Sequence, residues 1–261
     1  MIQASESPQL GCAWYLTGVC NYDCPYCYDQ SKPTQHPAIS TDDVRRVFGH
    51  LVKARGPLRI AITGGEPTLH PRFREILSYL DADGHTIRIS SNLSLGAEPF
   101  IASVGRPADC RINASFHPSR SDVDRFGAEV RALTDAGFRV RISYALYPPH
   151  VGRLEDCRKA MAQAAPGVEF RAAPFVGTYQ GREYQGHALP GSREGEARTC
   201  RAGRDYFAIL PTGAILRCVQ GAHLMGDTWP TVRLNDGPAA CPVARCDCID
   251  MHELWRDNDD R

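Results

Sequence analysis

Three thiols fall within eight residues: Cys20, Cys24 and Cys27 in the run "CNYDCPYC". A structural zinc site takes four protein donors, so three thiolates leave one position of a metal centre for something else. They can hold three corners of a cubane iron-sulfur cluster and leave the fourth iron open to a ligand. His36 is the nearest downstream donor that could complete a zinc set, at a spacing unusual for zinc. The missing ligand is therefore the functional feature that the spacing predicts.

A second group of cysteines, Cys200, Cys218, Cys241, Cys246 and Cys248, lies near the C-terminus. Cys12, Cys110 and Cys157 are scattered and read as small buried hydrophobes. Eleven cysteines, clustered and odd in number, suit metal or redox chemistry in a reducing compartment better than a disulfide framework.

The elements that must position these residues alternate. Cys12 to Leu16 is a predicted strand, and the three cysteines occupy the loop after it. Val44, Val47, Phe48, Leu51 and Val52 mark one face of a helix entered through Ser40 or Thr41. "LRIAIT" from Leu58 is a second strand that ends in "GGEP". Phe73, Ile76, Leu77 and Leu80 stripe a second helix, stopping near Gly84, and "TIRIS" from Thr86 is a third strand. "CRINASF" from Cys110, a helix from Val123 to Ala136, "RVRISYAL" from Arg139, a helix from Leu154 to Ala165 and "VEFRAA" from Val168 complete six βα units. Such a series is α/β, with parallel strands that close partly or wholly into a barrel, and places chemistry in the loops at the strands' C-terminal ends.

Character changes after Pro174. Phe175 to Arg198 is rich in Gly, Tyr and polar groups without periodicity and reads as a long loop or lid. Tyr206 to Cys218 reads as two strands around a Pro-Thr-Gly turn. The rest is short and rich in cysteine, with too little apolar material for a core of its own, so a bound metal centre is expected to organise it. The expected organisation is a partial barrel over 1–174, a linker or lid over 175–199 and a small extension over 200–261.

The spacing CxxxCxxC, with Tyr26 before the last cysteine and Gly64, Gly65, Glu66 and Pro67 ending the second strand, resembles the radical S-adenosylmethionine (radical SAM) superfamily. The resemblance implies a partial (β/α)6, TIM-like barrel and a 4Fe-4S cluster on Cys20, Cys24 and Cys27. Its open iron would be chelated by the amino and carboxylate groups of S-adenosylmethionine. Reductive cleavage of that sulfonium would give a 5'-deoxyadenosyl radical, which takes a hydrogen atom from the substrate. A reducing partner such as flavodoxin or ferredoxin is implied with it.

Further roles follow from the same resemblance. Gly64 and Gly65 allow close backbone approach to a ligand, and a carbonyl or Glu66 can accept from the ammonium of the methionine moiety. Tyr26 offers its backbone to adenine or packs as a side chain. Ser91 and Asn92 suit a ribose or carboxylate, and Ser115, His117, Arg141 and Ser143 lie at or near the next strand ends. Polar strand ends are common in any α/β enzyme, and His117 before Pro118 suits a loop role equally well.

The run from Cys200 through Gly213 to Cys218 resembles the opening of the SPASM and Twitch extensions of that superfamily, which bind auxiliary 4Fe-4S clusters. Five cysteines fit one such cluster, as in Twitch, better than two. The spacing CxxxxCxC over Cys241, Cys246 and Cys248 departs from the CxxC-like closure. Cys200, Cys218, Cys246 and Cys248 are the first choice of ligands, with Cys241 close behind. A spare thiol could donate a hydrogen atom to a substrate radical, and the same thiolates could hold structural zinc.

Thirty basic and thirty acidic residues cancel, which speaks against a nucleic-acid or anionic-membrane partner. The N-terminus carries no basic start followed by an apolar run, and no stretch reaches the length of a membrane span. The expectation is a cytoplasmic enzyme, an oxidoreductase or epimerase, acting on a small molecule such as a sugar or aminocyclitol. The first predicted strand begins near Cys12, leaving no room before it for the winged helix that grips a leader peptide in peptide-modifying relatives. The alternatives are a peptide maturase without a winged helix and a non-catalytic zinc-binding interaction module. Tyr179, Arg182, Tyr184, His187 and Asp205 are candidate substrate contacts, and Asp257, Asp259 and Asp260 form a solvent-facing charged tail.

Overall fold

The structure is a computed structural model, which describes residues 9–27, 33–184, 193–194, 199–219, 224–240 and 245–246. Its first two-thirds repeat one unit. β1 (Gly11–Thr17) is followed by α1 (Thr41–Arg55), β2 (Arg59–Gly64), α2 (Phe73–Ala82), β3 (Thr86–Ser91) and the short α3 (Glu98–Ile101). Then come β4 (Cys110–Phe116), α4 (Val123–Asp135), β5 (Arg139–Leu146), α5 (Leu154–Ala164) and β6 (Glu169–Pro174). Each of the six strands pairs in parallel with the next, as the βα alternation predicts.

Strand alternation explains the layering. Trp14, Leu16, Ile60, Ile62, Ile87, Ile89, Ile112 and Ile142 point one way and bury against Val44, Phe48, Leu77, Leu80, Val130 and Leu133 of the helices. The opposite face forms the barrel interior. Helix starts are written locally: the Ser40 hydroxyl accepts from the Asp43 N–H, and the Asp122 carboxylate accepts from the Arg125 N–H. Gly127 lets α4 lie directly on α5, since a Cβ there would collide with the Ala164 side chain.

Residues 175–184 differ from the loop expected of them. β7 (Gly177–Tyr179) and β8 (Arg182–Tyr184) form an antiparallel hairpin. Gln180 and Gly181 both take positive φ, 48° and 75°, the backbone of a tight turn that matches strand twist. Gln-Gly is a weaker turn signal than Asn-Gly, which is why the sequence hides it. Tyr147 packs against Phe175 and Tyr179, both at 5.3 Å between ring centroids, and Phe175 packs against Tyr184 at 5.4 Å. Tyr179 and Tyr184 thus join an aromatic cluster that anchors the hairpin and that reaches Tyr26 through Tyr147.

The later strands are β9 (Arg193–Glu194), β10 (Thr199–Cys200), β11 (Tyr206–Ile209), β12 (Ala214–Leu216), β13 (Leu224–Thr228), β14 (Ala239–Ala240) and β15 (Arg245–Cys246). β11 pairs in parallel with β1, and β12 and β13 extend the same sheet antiparallel, giving the order β13-β12-β11-β1-β2-β3-β4-β5-β6. Phe207, Ile209 and Ile215 therefore share the main core instead of needing one of their own. Among the described residues no ladder joins β6 to β13, so the barrel is open. Asp205, expected to meet substrate, is buried and bound by Arg55 at 2.8 Å and by Arg201, tying β11 to the end of α1. No helix among the described residues is long and apolar enough to cross a membrane.

Two buried polar groups lock adjacent strands. At the strands' N-terminal end, His85 Nδ1 accepts from the Leu58 N–H at 2.9 Å. At the C-terminal end, the fully buried Glu66 carboxylate accepts from the Thr68 N–H (3.1 Å), the Thr68 hydroxyl (2.7 Å), the Ser91 hydroxyl (2.9 Å) and the Asn92 N–H (2.6 Å). Burial raises the Glu66 pKa and these four donors oppose the rise.

Glu66→Gln should cost about 1–3 kcal/mol, because either amide orientation turns an NH2 toward the N–H of Thr68 or of Asn92 and leaves it unpaired. Urea titration of the purified protein measures this, and an unchanged midpoint would refute the four-donor account. Burial pushes the His85 pKa down from 6.5 to about 4, so the folded state favours neutral imidazole. That contribution is complete above pH 6.5 and is lost as pH falls toward 4. Stability of His85→Gln should decline less steeply than wild type over this window; parallel pH profiles would contradict it.

Candidate functional site

The C-terminal ends of β1 to β5 surround a cavity of about 330 Å³. Cys20, Cys24 and Cys27 all border it. So do Tyr26, Gly64, Gly65, Ser91, Asn92 and Ser115, each expected at the cofactor site, and His117, which the sequence left divided between two roles. Ninety-odd residues of chain separate Cys24 from His117, so only the parallel strand order brings them together.

Backbone contact between two strand ends places the cysteine loop. The Gly65 N–H donates to the Thr17 carbonyl (2.7 Å) and the Glu66 N–H to the Val19 carbonyl (2.9 Å). Gly64 has φ +122°, and a Cβ at Gly64 or Gly65 would collide with the Thr17 or Val19 carbonyl oxygen. Within the loop the Tyr22 N–H donates to Cys20 Sγ (3.4 Å), and the Cys27 N–H donates to the Cys24 carbonyl (3.1 Å). Asn92 Nδ2 returns from β3 to the Asn21 side-chain oxygen at 3.1 Å. From the loop after β4, Arg120 pairs with Asp23 and Ser121 Oγ lies 3.3 Å from the Tyr22 hydroxyl.

His117 Nδ1 lies 2.8 Å from the Tyr26 hydroxyl and 3.4 Å from Cys24 Sγ, and its ring stacks on Tyr26. Burial, then His150, pushes its pKa down to about 4, so the imidazole is neutral near pH 7. Burial likewise raises the pKa of Cys20, Cys24 and Tyr26. Thiolates in such a pocket call for a positive charge at their sulfurs, which bound iron supplies. Among the described residues no three His, Cys, Asp or Glu side chains close on a single-ion site. Three thiols along one cavity wall fit the wider span of a multi-iron cluster, and Ser91, Asn92, Ser115 and the Gly64-Gly65 backbone supply polar partners beside it.

Two expected residues stand apart. Glu66 lies behind the cavity wall with its acceptors occupied, and it acts on the site through Asn92 and Ser91. Arg141 lies deeper in the barrel, where its Nε donates to Asn113 Oδ1 at 3.3 Å. Gly18, Tyr22, Thr63, Ser90 and Ala145 line the cavity without having been singled out. Thr63 and Ser90 could have been found by counting two residues along each strand, since alternate residues share a face.

Of the second cysteine group, Cys200 and the buried Cys218 meet in one small apolar cluster with Ala13, Ala202, Tyr206, Ala208 and Leu216. Arg217 braces that region through the carbonyls of Ala202 (3.0 Å) and Ala240 (2.8 Å). Cys241 and Cys248, the side chain of Cys246, His187, and Asp257, Asp259 and Asp260 lie outside the described residues.

A model of the radical SAM superfamily matches residues 14–125. GTP 3',8-cyclase of Edwardsiella ictaluri is 30% identical over 148 residues, 50% of this chain and 44% of that relative. Mycofactocin maturase MftC of Mycobacterium ulcerans is 28% identical over 155 residues, 55% of this chain and 42% of its own length. The chain thus spans less than half the length of these curated relatives. The crystal structure of Streptococcus suis SuiB bound to S-adenosylmethionine shares the fold, with a TM-score of 0.61 at 16% identity, over 90% of this chain and 63% of SuiB. The matched segment contains the cysteine loop, the Gly64-Gly65-Glu66 turn and every cavity-lining residue but Ala145. The radical SAM match thus falls on the part of the chain, residues 14–125, that builds the three-cysteine cavity.

Proposed function

We propose that this chain is a radical SAM enzyme whose barrel interior receives a small-molecule substrate below the three-cysteine loop. The supporting observation is the shared cavity: three thiols, the Gly64-Gly65 backbone and the polar ends of β3 and β4 face one another there. When bound, a 4Fe-4S cluster and S-adenosylmethionine would supply a 5'-deoxyadenosyl radical for hydrogen abstraction. Cys20, Cys24 and Cys27 would hold the cluster. The backbone at Gly64 and Gly65, with Ser91, Asn92 and Ser115, would orient S-adenosylmethionine. Tyr26 and the neutral His117 wall the cavity on the β4 side and limit access of water to it.

Four of the later cysteines, Cys200, Cys218, Cys246 and Cys248 first, with Cys241 the near alternative, would bind an auxiliary 4Fe-4S cluster. That cluster would accept the electron of a two-electron oxidation; a thiol that returns hydrogen would instead give epimerisation. A reductant such as flavodoxin or ferredoxin would serve the first cluster. A second reading, peptide maturation, draws support from relatives named as a mycofactocin maturase and a subtilosin biosynthesis protein, and from SuiB, solved with its precursor peptide SuiA. GTP 3',8-cyclase and Fe-coproporphyrin III synthase are relatives whose names favour a small molecule.

Anaerobic reconstitution tests the proposal. Wild type should carry about eight irons and form 5'-deoxyadenosine with dithionite and S-adenosylmethionine; a Cys20→Ala, Cys24→Ala, Cys27→Ala variant should keep about four and form none. Iron and nucleoside absent from both would remove the radical assignment. Gly65→Ala should lower nucleoside formation at least about tenfold, because its Cβ would collide with the Val19 carbonyl oxygen and push the cysteine loop off the end of β2. Full activity in that variant would show that the close approach is dispensable.

A further inference from the structure

The interior face of the sheet is cationic beneath the cavity. Because the isoleucines of β2 to β5, with Phe170 on β6, point to the helices, alternation turns Arg59, Arg88, Arg111, Arg141 and Arg171 inward, and each is half-buried. Register sets several of them abreast. Arg88 pairs with Arg111, and Arg111 with the exposed Arg139. Neighbouring strands lie about 4.8 Å apart, so β3, β4 and β5 carry three like charges in one row, an arrangement that destabilises a sheet unless anions offset it. Among the described residues of β1 to β6, one acid, Glu169 opposite Arg141, shares this face.

This concentration is not a property of the whole chain, which is neutral. All five half-buried arginines are engaged within the fold, so an incoming anion would join or replace a protein partner. The tier also lies in line with the cavity. Two residues along the same strand faces, Ser90 follows Arg88, and Ser115 follows Asn113, which accepts from Arg141 (3.3 Å) and Ser143 (2.8 Å). Ser90 and Ser115 line the cavity, so Arg88 and Arg111 sit roughly 7 Å or more below it at about 3.3 Å per residue, while Arg141 and Arg171 are in register with Ser90 and Ser115 two strands away. Guanidinium forks match carboxylate and phosphate oxygens two at a time.

We propose that this interior arginine tier is an anion subsite, which holds a carboxylate or phosphate of the substrate while the carbon to be attacked lies above it beside the three cysteines. The catalytic meaning of the subsite rests on the radical SAM reading; anion binding itself does not.

Calorimetric titration of the anaerobically reconstituted protein with inorganic pyrophosphate, and separately with citrate, tests this at fixed ionic strength. Wild type should bind at least one of them saturably, and the stronger of the two identifies the preferred group as phosphate or carboxylate. Arg88→Gln and Arg111→Gln should weaken binding at least tenfold, while Lys159→Gln, an equal loss of charge on the exposed side of α5, should not change it. If the glutamine variants lose their native circular dichroism, Arg88→Lys keeps the charge and removes the fork, and binding several-fold weaker than wild type is then expected. No binding of either anion to wild type, or equal binding by wild type and the folded Arg88 and Arg111 variants, would overturn the subsite. Iron content and 5'-deoxyadenosine yield in the same wild-type preparation report separately on the radical assignment, so either claim can fail alone.

Discussion

The site depends on one close approach of backbone to backbone. At Gly64 and Gly65 the end of β2 presses against the carbonyls of Thr17 and Val19, and two hydrogen bonds replace what would otherwise be side-chain packing. The contact begins a circuit. Glu66, held there, accepts from Asn92 at the end of β3, and the Asn92 side chain donates to Asn21 in the cysteine loop. Three strand ends and the loop are thereby cross-braced before any cofactor is bound, which lowers the ordering cost of binding one.

Stabilisation and chemistry are divided between the two faces of one sheet. Aliphatic side chains and the aromatic rings of Trp14 and Phe48 pack the helix side, where burial of apolar area dominates the folding energy. The interior is left free to carry thiols at one end, hydroxyls and amides in the middle and arginines at the other. Loss of an interior polar group therefore bears mainly on ligands, whereas loss of an outer-face isoleucine bears on the fold. Neutral net charge conceals this segregation, because it sums over the whole chain and carries no record of place.

The C-terminal third adds to this frame rather than standing beside it. β11 takes the open edge of β1, and the buried Asp205 with Arg55 and Arg201 fastens the connection to α1. Cys200 and Cys218 are carried to the interior side of that junction, on the flank of the strand that launches the three-cysteine loop. Register sets them beside the start of β1, the strand end opposite the one that launches that loop.

Local pattern alone determined the six βα units, a helix start at Ser40 or Thr41 and the three-cysteine loop followed by Gly64-Gly65-Glu66. Period, capping chemistry and ligand spacing are properties of neighbouring residues, so a linear reading captures them. Tertiary structure decided what pairing of distant strands controls. It put His117 against Tyr26 and Cys24, withdrew Glu66 behind the wall as a brace, left Arg141 below the cavity, and made Asp205, Tyr179 and Tyr184 anchors. It also merged β11 to β13 with the barrel sheet and lined up Arg88 and Arg111. Register between strands is set by the core as a whole, and no single segment encodes it.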